Sequence, residues 1–269
     1  TMDAEVLAQE QHDAKKVDQA QLLIRDGQLD EAAARLREVI AHAPDNHFSR
    51  FEIEKKLYIK CWDRAEFEYL VFLQQKTGDD RTLIWIPNAY PRAYYYLSLI
   101  LMRQNQFQEA LEYLENGAVF EPKNPRFLLD KARAHGFLGH PQLAVQLYEQ
   151  VLAMGVLILP ALRAIAFRGK GVQLIELGEL DQAEQALKQS LAIEPHNALA
   201  ANELNHIANL RKSKHPGSLL VAPMPLGTCA LCQSSLDTDA GLLPINGLLQ
   251  HVCSTCFKAE KPKWWQFWK

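Results

Sequence analysis

Only one cysteine, Cys61, lies outside the last 41 residues of this 269-residue chain, so no disulfide framework of a secreted domain runs through it. Neither sign of charge dominates. Lys and Arg number 29 against 32 Asp and Glu, a formal net charge of -3, and no overall positive field is available to hold a nucleic-acid backbone. No apolar run approaches the roughly 20 residues needed to span a bilayer. The most apolar stretch, Leu152 to Phe167, carries Arg163 and reads as a buried helix–loop–helix. Residues Thr1 to Lys15 are charged and lack the apolar core of a secretory leader, so a cytoplasmic setting is expected. Also missing are a Gly-rich phosphate loop, a nucleophile with its base, an acid–base pair and an open metal site, which together argue against an enzyme. With 48% hydrophobic and 23% charged residues, the chain is expected to be globular, neither disordered nor collagen-like.

What is present is a period. Gly27, Ala32 and Pro44 share their spacing with Asn105, Ala110 and Pro122 and with Gly178, Ala183 and Pro195. Gly139 and Ala144 begin a fourth set, with Gly155 near the place of the proline, and Ala110 and Ala144 are 34 residues apart. Gly or Asn can take the left-handed conformation that ends one helix at a tight turn. Alanine five residues later suits a close crossing of two antiparallel helices. Proline stops the second helix. Between these marks apolar residues recur at three and four, as in Leu22, Leu29, Leu36, Val39 and Ile40, which is the pattern of amphipathic helices.

These marks resemble those of the tetratricopeptide repeat family, with repeats at 13–46, 91–124, 125–158 and 164–197. The stretch from His47 to Asp80 is expected to be a fifth, divergent repeat, since Ala65 lies 33 residues after Ala32; Arg81–Tyr90 and Val156–Pro160 then read as insertions. Residues Ala198 to Lys212 extend the last repeat as a capping helix. The resemblance covers roughly 210 residues and implies a solenoid of helical hairpins whose first helices line a groove that binds a protein or peptide. The family's groove-lining positions fall on Arg25, Arg92, Tyr95, Tyr96, Arg103, Arg126, Arg133 and Arg168, with apolar Leu99 and Met102. Two readings of the arginines stand: they bind an acidic partner, or they pair with carboxylates of neighbouring helices. The two-carboxylate clamp of chaperone-binding members is not matched. Its lysine and asparagine positions fall on Val17 and Gln21, or on Tyr95 and Leu99, so binding to a chaperone tail is not expected.

The run Phe48, Phe51, Tyr58, Trp62, Phe67, Tyr69 and Phe72 is read as core packing at helical spacing, with Cys61 an inert buried thiol. Trp85, just before Ile86 and Pro87, reads either as packed or as an exposed contact residue.

Beyond residue 212 the sequence changes to a linker at 213–228, then to Cys229, Cys232, Cys253 and Cys256, two C-x-x-C pairs with 20 residues between them. Such pairs complete a tetrahedron of thiolates around one ion, and zinc is preferred over iron because nothing else points to electron transfer. With all four positions filled by protein the metal is structural. A module this small, at 229–258, has too little core to fold without it. His251 is a competing donor, and thiol redox cycling is the rival chemistry. Few basic residues surround the four thiolates, which again speaks against nucleic acid. The tail at 259–269 carries Trp264, Trp265, Phe267 and Trp268, and docking onto the chain, capture by a partner and contact with a membrane surface all remain open.

The expected fold class is therefore all-α: a tetratricopeptide-like helical-hairpin solenoid over 1–212 followed by a small zinc-ribbon-like C-terminal module. In layout the chain is similar to the lipopolysaccharide assembly protein B family, departing from it in the 20-residue gap between its cysteine pairs and in having fewer repeats and no membrane helix. The expected function is a protein-interaction adaptor or scaffold with the zinc module as a second contact surface. The alternatives are a thiol-redox or zinc-dependent chaperone-like protein, or a peripheral membrane recruitment factor acting through the tail.

Overall fold

A computed structural model describes residues 4–44, 49–213, 241–245 and 248–252. The chain divides into two compact units, Thr1–Asn197 and Ala198–Lys269.

In the first unit four helical hairpins follow the repeat marks. They are α1 (Ala4–Arg25) with α2 (Leu29–Ile40), α4 (Tyr90–Arg103) with α5 (Phe107–Phe120), α6 (Pro125–Phe137) with α7 (Pro141–Ala153), and α8 (Pro160–Glu176) with α9 (Leu180–Ile193). Each hairpin turns on a residue with positive φ: Gly27 at 81°, Asn105 at 61°, Gly139 at 80° and Gly178 at 77°. The same two bonds close every turn. In the first, the Gln28 amide donates to the Leu23 carbonyl and the Gly27 amide to the Ile24 carbonyl; in the last, the Glu179 amide donates to Leu174 and the Gly178 amide to Ile175. This is the Schellman arrangement, which satisfies the carbonyls a helix end would leave unpaired. Ala32, Ala110, Ala144 and Ala183 are all 0% exposed, where the paired helices cross.

Stacking propagates from hairpin to hairpin, with α2 against α4, α5 against α6 and α7 against α8. One core, built around Val17, Leu36, Val39, Leu97, Ile100 and Leu101, joins the first two hairpins. A second, around Leu129, Leu147, Tyr148, Val151 and Ala166, joins the later ones. Among the described glycines the tightest site is Gly169, where an added Cβ would lie 2.3 Å from the Tyr148 ring. The stretch expected to be a buried helix–loop–helix is the end of α7, a short 3-10 turn at Gly155–Leu157 and the start of α8, with Ile158 buried and Leu157 exposed.

The all-α expectation fails between the first two hairpins. Residues expected to form a fifth helical repeat instead form β1 (Arg50–Ile53), β2 (Lys56–Cys61) and α3 (Arg64–Thr77), and β3 (Thr82–Pro87) follows them. The strands pair in the order β1-β2-β3, with β1 antiparallel and β3 parallel to β2. Glu54 and Lys55, both at positive φ, make the two-residue hairpin turn, and α3 is the crossover between β2 and β3. The physical reason lies in the residues. LYIKC and TLIWIP are short runs rich in β-branched and aromatic side chains, which favour extended strands over a helical repeat. Phe51 and Tyr58 face each other across β1 and β2, stacked at 4.8 Å, and Trp85 of β3 stacks on Phe67 of α3. Ala65 is exposed at the start of α3 and marks no helix crossing. The segment read as an insertion, Arg81–Tyr90, supplies β3 and leads into α4. Aromatic packing is uneven here: Trp62 is buried, Phe72 is 48% exposed, and Phe48 lies outside the described residues.

In the second unit, α10 (Ala198–Ser213) is followed by an antiparallel pair, β4 (Gly241–Ile245) and β5 (Leu248–Val252), in which Ile245 pairs with Leu248 and Gly241 with Val252. The four cysteines, nearly all of the 213–228 linker and the tail residues Trp264, Trp265, Phe267 and Trp268 lie outside the described residues. Among the described residues no helix is long and apolar enough to cross a membrane.

Candidate functional site

The first helix of each hairpin carries the residues assigned to the groove, and most of their charge is met within the protein. Arg92, in the first turn of α4, is buried and reaches Asp18 and Gln21 of α1, at 2.5 and 3.1 Å, and the Asn88 carbonyl at 3.2 Å. Gln21 also donates to the Tyr96 hydroxyl. Tyr95 hydrogen-bonds Asp130 of α6, and its burial, reinforced by that carboxylate, holds its hydroxyl well above the ordinary tyrosine range. Arg133 pairs with the same Asp130 at 2.9 Å. Arg168 of α8 is buried against the Ser190 hydroxyl and Glu194 of the last hairpin, at 3.1 and 2.8 Å. The Arg92, Tyr95 and Arg168 contacts tie different helices together, while the Arg133–Asp130 pair lies within α6. Arg25 and Arg103 differ: both are exposed, at the C-terminal ends of α1 and α4. Among the described residues Arg25 pairs with the exposed Asp26, and Arg103 donates to the Ile24 carbonyl at 3.3 Å.

The largest departure from expectation is at Arg126, Tyr95 and Tyr96, because the insert covers them. Trp62, between β2 and α3, seats its indole edge-on to Tyr95 at 5.0 Å and to Phe127 at 5.7 Å, with Tyr96 at 6.4 Å. Its Nε1 donates to Glu121 at 2.7 Å, at the C-terminal end of α5. Glu121 also accepts from the side-chain amides of Asn88 and Asn124, and burial raises its pKa despite these donors. The Arg126 guanidinium lies over the indole, 4.8 Å from the ring centroid, and pairs with Asp63 at 3.0 Å and Glu66 at 3.4 Å. A second tie fastens the insert: Lys60 of β2 and Glu10 of α1 form a buried ion pair at 2.6 Å.

The Asp63–Glu66 pair is the functional feature that repeat-based reasoning missed. A signal for it was present. An acidic residue followed three positions later by Glu, straight after a β-branched run, marks a helix start, and Asp63 does cap α3 by accepting from the Glu66 amide at 2.8 Å. Cys61 is buried, and burial pushes its thiol up to about 12, the inert behaviour expected of it. Trp85 is both packed and partly exposed: its ring stacks on Phe67 and its Nε1 donates to the Cys61 carbonyl at 3.1 Å.

Comparison with known proteins decides the family. Three tetratricopeptide repeat profiles match, at residues 16–38, 91–124 and 129–210, and the middle one coincides with the hairpin α4–α5. The chain belongs to the tetratricopeptide repeat family. Among solved structures, PilF of Pseudomonas aeruginosa is similar, with a TM-score of 0.54, 12% identity and coverage of 77% of this chain and 72% of that one. PilW, a type IV pilus biogenesis factor, is similar at a TM-score of 0.51, 18% identity and coverage of 74% and 70%. At such identities the tetratricopeptide fold is what is shared. A rat FK506-binding protein-like sequence is 40% identical over 80 residues, which is 30% of this chain and only 22% of that protein's length. Among the described residues no group of three or more His, Cys, Asp and Glu side chains is placed to hold a metal ion.

Proposed function

We infer that the chain is a non-catalytic adaptor whose tetratricopeptide repeats bind a partner protein or peptide along the first helices of the hairpins. Arg25 and Arg103 carry this reading. Of the assigned groove arginines they are the two whose side chains stand exposed, at neighbouring helix ends joined by the Arg103 bond to Ile24, and Leu99 of the same groove set lies one turn away on α4. Exposed guanidinium groups of this kind bind carboxylates bidentately, so the preferred partner is an acidic segment. The buried arginines serve the fold.

The second contact surface is the four-cysteine module. Cys229, Cys232, Cys253 and Cys256 would hold one zinc ion as thiolates, and the donor set fits: four soft ligands with no position left for water or substrate. The β4–β5 pair supports this, since it joins the two C-x-x-C motifs and its paired end, Gly241 with Val252, directly precedes Cys253.

The test is capture of partners from the native host by the full chain, alongside a variant carrying Arg25→Glu and Arg103→Glu. Because both positions are exposed, the variant is expected to fold with stability changed by less than about 0.5 kcal/mol. It is expected to lose the specific partner. Retention of every partner by the folded variant would remove the acidic-segment reading.

A further inference from the structure

We propose that residues Trp62–Glu66 act as a tethered ligand of the repeats. The seat between α4 and α6 takes a segment in which a bulky aromatic side chain is followed by acidic ones, and a partner of that chemistry binds there by displacing the chain's own insert. The existence of such a partner rests on the adaptor reading above; the seat itself does not.

The geometry is that of a recognition site with its occupant in place. The indole is held on three sides by the rings of Tyr95, Tyr96 and Phe127, and its N–H finds a buried acceptor in Glu121. Arg126 stacks on the indole and meets both Asp63 and Glu66. Ring-lined seats with a single arginine above them discriminate on two counts, aromatic bulk and following negative charge. Tyr95, Tyr96 and Arg126 are among the positions assigned to the groove, and on that assignment the occupant sits where a bound polypeptide would lie.

Away from these anchors, the insert that carries the occupant is thinly packed. No residue of α3 is buried, and the side chains of Ile53, Phe72 and Trp85 are substantially exposed, so the insert has little core of its own. What holds it is the Trp62 seat, the Lys60–Glu10 pair and the strand pairing. A segment attached mainly through a few anchors exchanges with a competitor that offers the same anchors, and the apparent affinity for that competitor is reduced by the fraction of chains in which the seat is open.

The probe is a fluorescent peptide of residues 59–70, added to the full chain. The native chain is compared with Trp62→Ala, which empties the seat, and with Asp63→Asn plus Glu66→Gln, which keeps the indole and removes both charges from Arg126. The opened chains are expected to bind the peptide at least about tenfold more tightly than the native chain. A peptide lacking the tryptophan, or a further Arg126→Ala change in the opened chains, should abolish that gain. If Trp62→Ala fails to fold, the double variant decides alone, because both its positions are partly exposed. Folded opened chains that bind no more tightly than the native chain, or that bind the tryptophan-free peptide equally well, would overturn the proposal. That outcome would leave the adaptor reading intact, since capture through Arg25 and Arg103 is measured separately; conversely, peptide binding without any captured partner would leave the seat an intrachain site only.

Discussion

Replacing Trp62 with alanine is the most informative single perturbation of the fold. The indole is 6% exposed and touches both the insert and two hairpins, so its removal empties a space lined by Tyr95, Phe127 and Leu114. Truncating a large buried aromatic costs about 3–5 kcal/mol. Loss of the bond from Nε1 to Glu121 adds little, because Asn88 and Asn124 still donate to that carboxylate. Arg126 likewise keeps Asp63 and Glu66. The expected loss is therefore set by the cavity, at about 3–5 kcal/mol, a large share of the roughly 5–15 kcal/mol that holds a typical domain together. Urea denaturation followed by far-UV circular dichroism measures it, with Phe72→Ala as the control: that ring is 48% exposed and lies beside Lys76, and its loss should cost well under 1 kcal/mol. A loss below about 1 kcal/mol for Trp62→Ala, or equal losses for the two variants, would refute the claim that Trp62 is the anchor between insert and repeats.

Other consequences follow from the same contacts. Lys60→Met should destabilise by about 3–5 kcal/mol by leaving the Glu10 carboxylate buried without its cation, and adding Glu10→Gln should recover most of the loss in the same denaturation assay. Gly169→Ala should destabilise by more than about 1 kcal/mol, since the new methyl meets the Tyr148 ring, and Tyr148→Phe should not relieve it because the ring carbons also clash. Glu121 has a pKa raised by burial, so its ionised form weakens the fold at pH above that raised value; stability should rise as pH falls through it toward 4.5, and Glu121→Gln should flatten this part of a thermal-denaturation profile. Purified full-length chain should contain one zinc by elemental analysis, and Cys229→Ser plus Cys253→Ser should lose it; a chain that is metal-free when prepared without chelator would count against the structural zinc.

The hairpins were legible because their marks are local: a residue able to take positive φ, an alanine that must be small and a proline that stops a helix act within about 18 residues of one another. The insert was not, because its aromatic residues can be counted at helical or at strand spacing, and the chance interval from Ala32 to Ala65 favoured the wrong count. β-pairing between residues such as Ile59 and Trp85 is a non-local fact that a search for a 34-residue period does not weigh. The candidate site shows the same division. Family positions picked out Tyr95, Tyr96 and Arg126, but the carboxylates that meet the arginines come from elsewhere: Asp18 from α1, Asp63 and Glu66 from the insert, Glu194 from the end of α9. Which arginines stay exposed depends on those partners, and only the fold brings them together.

Site-specific photo-crosslinking in the native host tests the central claim most directly. A photoreactive residue at position 103, on the first helix of its hairpin, should capture a polypeptide partner, whereas one at position 119, on the second helix and 75% exposed in the native chain, should not. Capture at 119 but not at 103 would contradict recognition through the first helices of the repeats.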